Sequence, residues 1–130
     1  IGIHFFDMLG WIFGEVKNNV VNISEPLKAG GYLELKNARV RWFLSLDSKD
    51  LPEETTEKGQ RTFRSVTVEG EEVEFSEGFT ELHTRTYENI LAGGGFGLDA
   101  ARQSVITAYT IRNAKPIGLQ GNYHPILKTI

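Results

Sequence analysis

The run from Arg39 to Asp47, RVRWFLSLD, constrains the chain more than any other stretch. Successive side chains of an extended strand point to opposite faces. Val40, Trp42, Leu44 and Leu46 then form one apolar face, and Arg39, Arg41, Phe43, Ser45 and Asp47 form the other. Such a strand needs a core on one side, so it belongs to a sheet layered against apolar partners. The second face mixes two arginines, a serine and a phenylalanine. It is poorly suited to water and is expected to be covered in an oligomer.

Other segments supply the rest of that sheet. Val16 to Ile23 reads as a strand closed by Ser24-Glu25-Pro26, and Gly31 to Lys36 as a second that turns at Asn37-Ala38. Residues 48–61 are charged and hold Pro52 and Gly59, which predicts a mobile surface excursion. Thr62 to Val68 and Glu71 to Phe75 predict a hairpin about Glu69-Gly70.

The period is helical elsewhere. At the start, Ile1, Phe5, Met8, Leu9 and Ile12 recur at three and four, the spacing of a buried helix face. After Ser76, Phe79, Leu82, Thr86, Tyr87 and Ile90 trace a second stripe that Gly93 stops. A third helix opens near Asp99 as N-cap and runs through Ala101, Val105, Ala108 and Tyr109 to about Asn113. Lys115-Pro116 ends it, and the tail to Ile130 is expected to dock on other parts of the protein. The fold class is therefore α+β: an open, mostly antiparallel sheet with helices packed on one face.

Several functions are disfavoured by composition. The chain has 130 residues with 40% hydrophobic, which suits one domain with a core. A formal charge of -3 gives no case for nucleic acid or an anionic membrane. Cysteine is absent, so disulfides and thiolate metal sites are excluded, as fits a cytoplasmic protein. His4, His83 and His124 are far apart with no paired ligand spacing, so no metal site is expected. The apolar start lacks a basic region and contains Asp7, unlike a signal peptide, and it is too short to span a bilayer. Because the sequence opens on Ile1 with Met8 its one methionine, it is expected to be a piece of a longer protein.

Two features invite chemistry. His4 and Asp7 lie three apart in the opening helix, hence on one side of it. They either satisfy each other within an apolar helix, or form a proton-handling histidine held by a carboxylate. Gly93-Gly94-Gly95-Phe96-Gly97 resembles a phosphate loop, but it follows a helix rather than a strand. It is expected to connect two helices, with glycines at positive φ.

Gly2-Ile3-His4-Phe5-Phe6-Asp7 resembles the G-x-H-x-x-D motif of the Gfo/Idh/MocA family of NAD(P)-dependent sugar oxidoreductases. Three longer stretches are similar to one branch, the UDP-N-acetyl-2-amino-2-deoxy-glucuronate dehydrogenases of bacterial surface polysaccharide synthesis. They are Ala38 to Ser45, Phe75 to Thr84 and Gly95 to Arg102. The similarity runs over nearly the whole chain to Gly121-Asn122-Tyr123-His124-Pro125.

The resemblance implies a C-terminal substrate-binding and oligomerisation domain over 1–130. An N-terminal Rossmann domain binding NAD, and a lysine in an E-K-P motif, would lie outside this chain. It implies His4 as the active-site histidine facing the sugar hydroxyl, with Asp7 orienting the imidazole or the helix. For a UDP-sugar acid, cationic and hydroxyl donors are needed, and Arg39, Arg41, Ser45, Ser76, Thr80 and His83 are the candidates. Each arginine could equally be a solvated or interface charge. Two further readings stay open: a non-catalytic scaffold domain, and a dehydrogenase of the same family acting on another sugar or cyclitol. A homo-oligomer built through the sheet is implied, without nucleic acid or membrane as partners.

Overall fold

The structure, a computed structural model, describes residues 2–77 and 81–130. Its helices are α1 (Gly2–Phe13), α2 (Glu53–Glu57), α3 (Leu82–Leu91) and α4 (Leu98–Asn113). Its strands are β1 (Val16–Ser24), β2 (Lys28–Leu35), β3 (Arg39–Ser45), β4 (Ser65–Val68) and β5 (Glu71–Glu74). The chain divides into two compact units, one of Ile1–Leu46 with Phe96–Ile130 and one of Asp47–Gly95. Among the described residues no helix is long and apolar enough to cross a membrane.

In the first unit, β1, β2 and β3 form an antiparallel sheet in that order. The expected division of β3 holds for Val40, Trp42 and Leu44, but the strand ends at Ser45 and Leu46 is 64% exposed. Val40 pairs with Leu33, Trp42 with Gly31 and Leu44 with Ala29, all on the core face. Phe6, Leu9, Val21, Leu33, Leu35 and Trp42 make the buried cluster, with Ala108 and Ile111 of α4 packed against it. Both long helices of this unit thus cover one face of the sheet. Phe6 meets the Trp42 ring edge-on at 5.4 Å, which ties α1 to the sheet. The space for Trp42 comes from Gly31, where a Cβ would lie 2.2 Å from the Val20 carbonyl oxygen and 2.9 Å from the indole. Strand β2 begins at Lys28, three residues before the sequence predicts, because Gly30 and Gly31 still pair.

Two helices differ from expectation in phase. In α1 the buried residues are Phe6 and Leu9, with Phe13 packed beside them, while Ile12 is 52% exposed. Ile1 lies outside the described residues. The inward side of α4 carries Ser104, Thr107 and Ile111, whereas Val105 and Tyr109 face out. Small hydroxyl residues suit close packing there, and Ser104 donates to the Ala101 carbonyl at 2.9 Å. Asp99 is not the N-cap. Gly97 takes that place, and Asp99 sits in the first turn, where an acidic side chain complements the helix dipole.

The second face of the sheet is partly covered, and by the chain itself. Ile117 and Gly118 donate backbone hydrogen bonds to Val21 and Asn22, so the tail runs along the β1 edge. Asn22, buried beside a bulge, donates to the carbonyls of Gly118 and Gln120 at 2.9 and 3.1 Å. A 3-10 turn at Pro125–Lys128 then carries Leu127 onto Gly30, where a Cβ would come within 2.8 Å of it. Gly30 pairs with Phe43, and Phe43 stacks on His124. The docking of the tail expected from sequence is therefore seen. The tail thus covers part of the face on which Phe43 lies, and Phe43 itself stays half-buried.

The second unit holds the charged segment, the hairpin and α3. Residues 48–61 form a 3-10 turn and α2 with Thr55 buried, so they are more ordered than an excursion. Glu69 and Gly70 both have positive φ, +52° and +91°, the turn that best matches hairpin twist. The stripe Leu82, Tyr87 and Ile90 of α3 is exposed in this structure, and Phe79 lies outside the described residues. Gly93 and Gly95, at φ +82° and +124°, make the helix-helix connection that the glycine run predicts.

Candidate functional site

Because Phe6, Leu9 and Phe13 turn α1 inward, His4, Asp7 and Trp11 fall on its outer side. All three are exposed, Trp11 to 87%. The sequence allows His4 and Asp7 either to satisfy each other within an apolar helix or to form a proton-handling pair. The structure instead leaves both in solvent, with no hydrogen bond or ion pair for either among the described residues. An imidazole, a carboxylate and an indole on one open stripe can receive a ligand: a proton acceptor, its neighbour, and a flat apolar surface.

A groove of about 520 Å³ runs between β1 and α4 in the same unit. Its charges are already matched, Arg102 with Asp99 at 3.0 Å and Lys17 with Glu15. The hydrogen bond from Lys17, then its charge, holds the Glu15 carboxyl below its ordinary value. Asn19 donates to the Thr110 hydroxyl at 3.0 Å across the groove. With its ions paired and its amides and hydroxyls on show, this groove suits neutral polar surface.

The structure separates the remaining candidates. Arg39, Arg41 and Ser45 share the face of β3 opposite the core, pairing with Glu34, Tyr32 and Lys28. Within one copy the sheet lies between them and α1. Ser76 in the second unit has a structural duty: its hydroxyl accepts from the Arg64 backbone N–H, and its carbonyl from the Arg64 guanidinium, each at 2.9 Å. These bonds close the base of the β4–β5 hairpin, beside the Phe75 to Arg64 backbone bond. His83 is exposed in the first turn of α3. Thr80 lies outside the described residues.

One residue that the sequence does not single out as a site is His124. Its Nδ1 accepts from the Ile126 N–H at 3.3 Å, which caps the 3-10 turn, and its ring stacks on Phe43 at 6.2 Å. A capping residue followed by Pro125 at the first position of a turn is the signal that locates it. Burial, and then the nearby Arg41 charge, push the His124 imidazole below its ordinary 6.5. The unfolded chain then takes up this proton at a higher pH than the folded one. Stability from neutral His124 is full above pH 6.5 and is lost as pH falls through the folded value. Denaturant midpoints are expected to decline over that range, and His124→Gln to flatten the decline. The Glu15 contribution is lost separately, below 4.5.

Comparison with known proteins turns these features into a relationship. No protein-family model matches the chain. Among solved structures, the WlbA (WbpB) dehydrogenase of Thermus thermophilus, in complex with NAD and alpha-ketoglutarate, superposes with a TM-score of 0.90. It is 50% identical over 97% of this chain. The chain belongs to the WlbA (WbpB) dehydrogenase family. A second structure of the Thermus thermophilus protein, in complex with NAD and UDP-GlcNAcA, gives a TM-score of 0.89 and 48% identity over 96% of this chain. The chain spans 41% and 40% of the lengths of these two WlbA (WbpB) chains. The resemblance read from the motifs, and the α+β fold it implies, are borne out.

Proposed function

We propose that this chain is the C-terminal, substrate-facing part of an NAD-dependent dehydrogenase that oxidises a hydroxyl, C3, of UDP-N-acetylglucosaminuronate. The observation that carries the proposal is the 48% identity, over 96% of the chain, to a WlbA (WbpB) dehydrogenase bound to NAD and UDP-GlcNAcA. The open His4-Asp7 stripe of α1 supports it, since a motif histidine that handles substrate has to be reachable.

The described residues do not build a dinucleotide cradle: their glycine run follows α3, a helix, and lacks the strand that must precede a phosphate loop. The proposal therefore assigns the cofactor to a nucleotide-binding domain outside these residues. NAD supplies the hydride acceptor when bound there. In this chain, the His4 imidazole takes the proton of the sugar hydroxyl as the C–H pair departs, leaving a ketone. Asp7, one turn along, is the proposed positioning residue for the imidazole or its helix. Thr80 and His83 are the proposed contacts to the sugar nucleotide. The proposed site of work is the cytoplasm, where substrate and cofactor are both made. Copies are proposed to associate through the end of the second sheet face that carries Arg39, beyond the reach of the tail.

The test is calorimetric titration of the 130-residue chain with NAD, paired with an assay of the same chain joined to its nucleotide-binding domain. The chain alone is expected to show no NAD binding, and the joined protein to reduce NAD with UDP-N-acetylglucosaminuronate. Tight NAD binding by the chain alone overturns the domain assignment, and a joined, folded protein inert to this sugar overturns the substrate.

A further inference from the structure

On the tail side of the sheet, two cations from different elements line one cavity. A cavity of about 180 Å³ is lined by Arg41, Gly121, Asn122, Tyr123, Pro125 and Lys128. Arg41 comes from β3 and the other five from the tail, so the docked tail creates the cavity. Among the described residues Arg41 has no ion-pair partner. The Lys128 ammonium lies 5.8 Å from the centroid of the Tyr123 ring, a contact that leaves its charge unneutralised. The other charged or titratable groups on this face are His124 from the tail, Tyr32 opposite Arg41 on β2, Glu34 opposite Arg39, and Lys28 opposite Ser45. Glu34 makes no ion pair with either arginine among the described residues.

Two unopposed cations in a chain of net charge -3 are a local reversal of sign. Surface arginines without partners are common; this one is exposed, but it also lines a concavity shared with Lys128. Burial first, and then the Arg41 charge, lower the His124 imidazole, which places the guanidinium near that ring. Beside the cations the lining offers an amide donor from Asn122 and a phenol from Tyr123. The volume is several times that of a water molecule, which takes about 30 Å³ in the liquid, so it admits a small solute.

We propose that this cavity binds an oxyanion, a carboxylate or phosphate group, held by Arg41 and Lys128 with Asn122 and Tyr123 as neutral donors. It stands apart from the proposed catalytic stripe, because the sheet separates Arg41 from His4. Its success or failure therefore leaves the dehydrogenase reading untouched. The anion also bridges strand to tail, so its occupancy holds the tail down.

The experiment is a nuclear magnetic resonance titration of the full 130-residue chain with inorganic phosphate, with ionic strength held constant by sodium chloride. Amide signals of Gly121, Asn122 and Tyr123 are expected to shift saturably, and the His124 imidazole to titrate at higher pH in the bound form. Arg41→Gln is expected to weaken binding by about tenfold or more, since a guanidinium forms paired charge-assisted bonds. Lys128→Gln is expected to weaken it a few fold, as loss of a single point charge. Acetate in place of phosphate assigns the group: the tighter of the two names carboxylate or phosphate as the chemistry recognised. Shifts that rise linearly without saturating overturn the proposal. So do shifts unchanged in Arg41→Gln, or, if that variant does not fold, unchanged in Lys128→Gln.

Discussion

In an enzyme that contains this chain, His4→Asn is expected to lower kcat by roughly 10²–10⁴-fold, with KM for the UDP sugar moving only a few fold. A group that receives a proton in transit interacts more strongly with the transition state than with bound substrate. Asparagine keeps the size and polarity of the side chain but cannot accept the proton. His4 is exposed on α1 and has no hydrogen bond or ion pair among the described residues, so the variant is expected to keep its melting temperature. That separates this outcome from a structural defect. Asp7→Asn is expected to act more mildly, because Asp7 works through the imidazole. If His4→Asn folds normally and retains wild-type kcat, the proton acceptor lies elsewhere and the assignment of the stripe fails.

The second large effect concerns the support beneath that stripe. Trp42→Ala is expected to cost about 3–5 kcal/mol, the range for removing a large buried aromatic side chain. Trp42 is 6% exposed and meets Phe6 edge-on, and Gly31 is cut back to make room for it. Alanine leaves a void that neither Gly31 nor the Val20 backbone can fill. Since single domains are stable by only about 5–15 kcal/mol, the loss consumes a large part of the margin. Urea denaturation of the variant measures it directly. A loss below about 1 kcal/mol, well under the usual range for such cavities, would show that the core closes over the gap. Phe6 loses its partner in the same substitution, so α1 should also show faster amide exchange than β2.

What sequence could reveal depended on how much each pattern determines. Along β3 the period is two and one face is apolar, so Val40, Trp42 and Leu44 could be assigned inward without ambiguity. In α1, by contrast, Ile3, Phe5, Phe6, Met8, Leu9, Trp11, Ile12 and Phe13 are all apolar, and several phases fit equally well. The phase was settled by Trp42, which a reading of α1 alone does not contain. His4 and Asp7 were legible as a pair, yet their exposure followed only from that phase. In α4 the inward Ser104 and Thr107 defeat any hydrophobic count, because closeness to the sheet favours small side chains over apolar ones. The hydrogen bonds that fix Ser76 run to Arg64, and no local spacing predicts such a pairing. That Arg41 and His4 lie on opposite sides of the sheet required knowing which face the helices take.

The first unit is assembled from the two ends of the chain, Ile1–Leu46 and Phe96–Ile130, with Asp47–Gly95 forming a compact body between them. During synthesis from the N-terminus, α1 and the three strands leave the ribosome well before their partner α4. For that interval the inner face of the sheet, with Val21, Leu33 and Trp42, lacks the cover that α4 later gives it. Closure waits for the last 35 residues, and the span that must be bridged makes this a late, long-range step. A premature stop codon after residue 95 would therefore do more than shorten the protein: it would strand a nascent sheet half dressed, a natural substrate for chaperones and proteases.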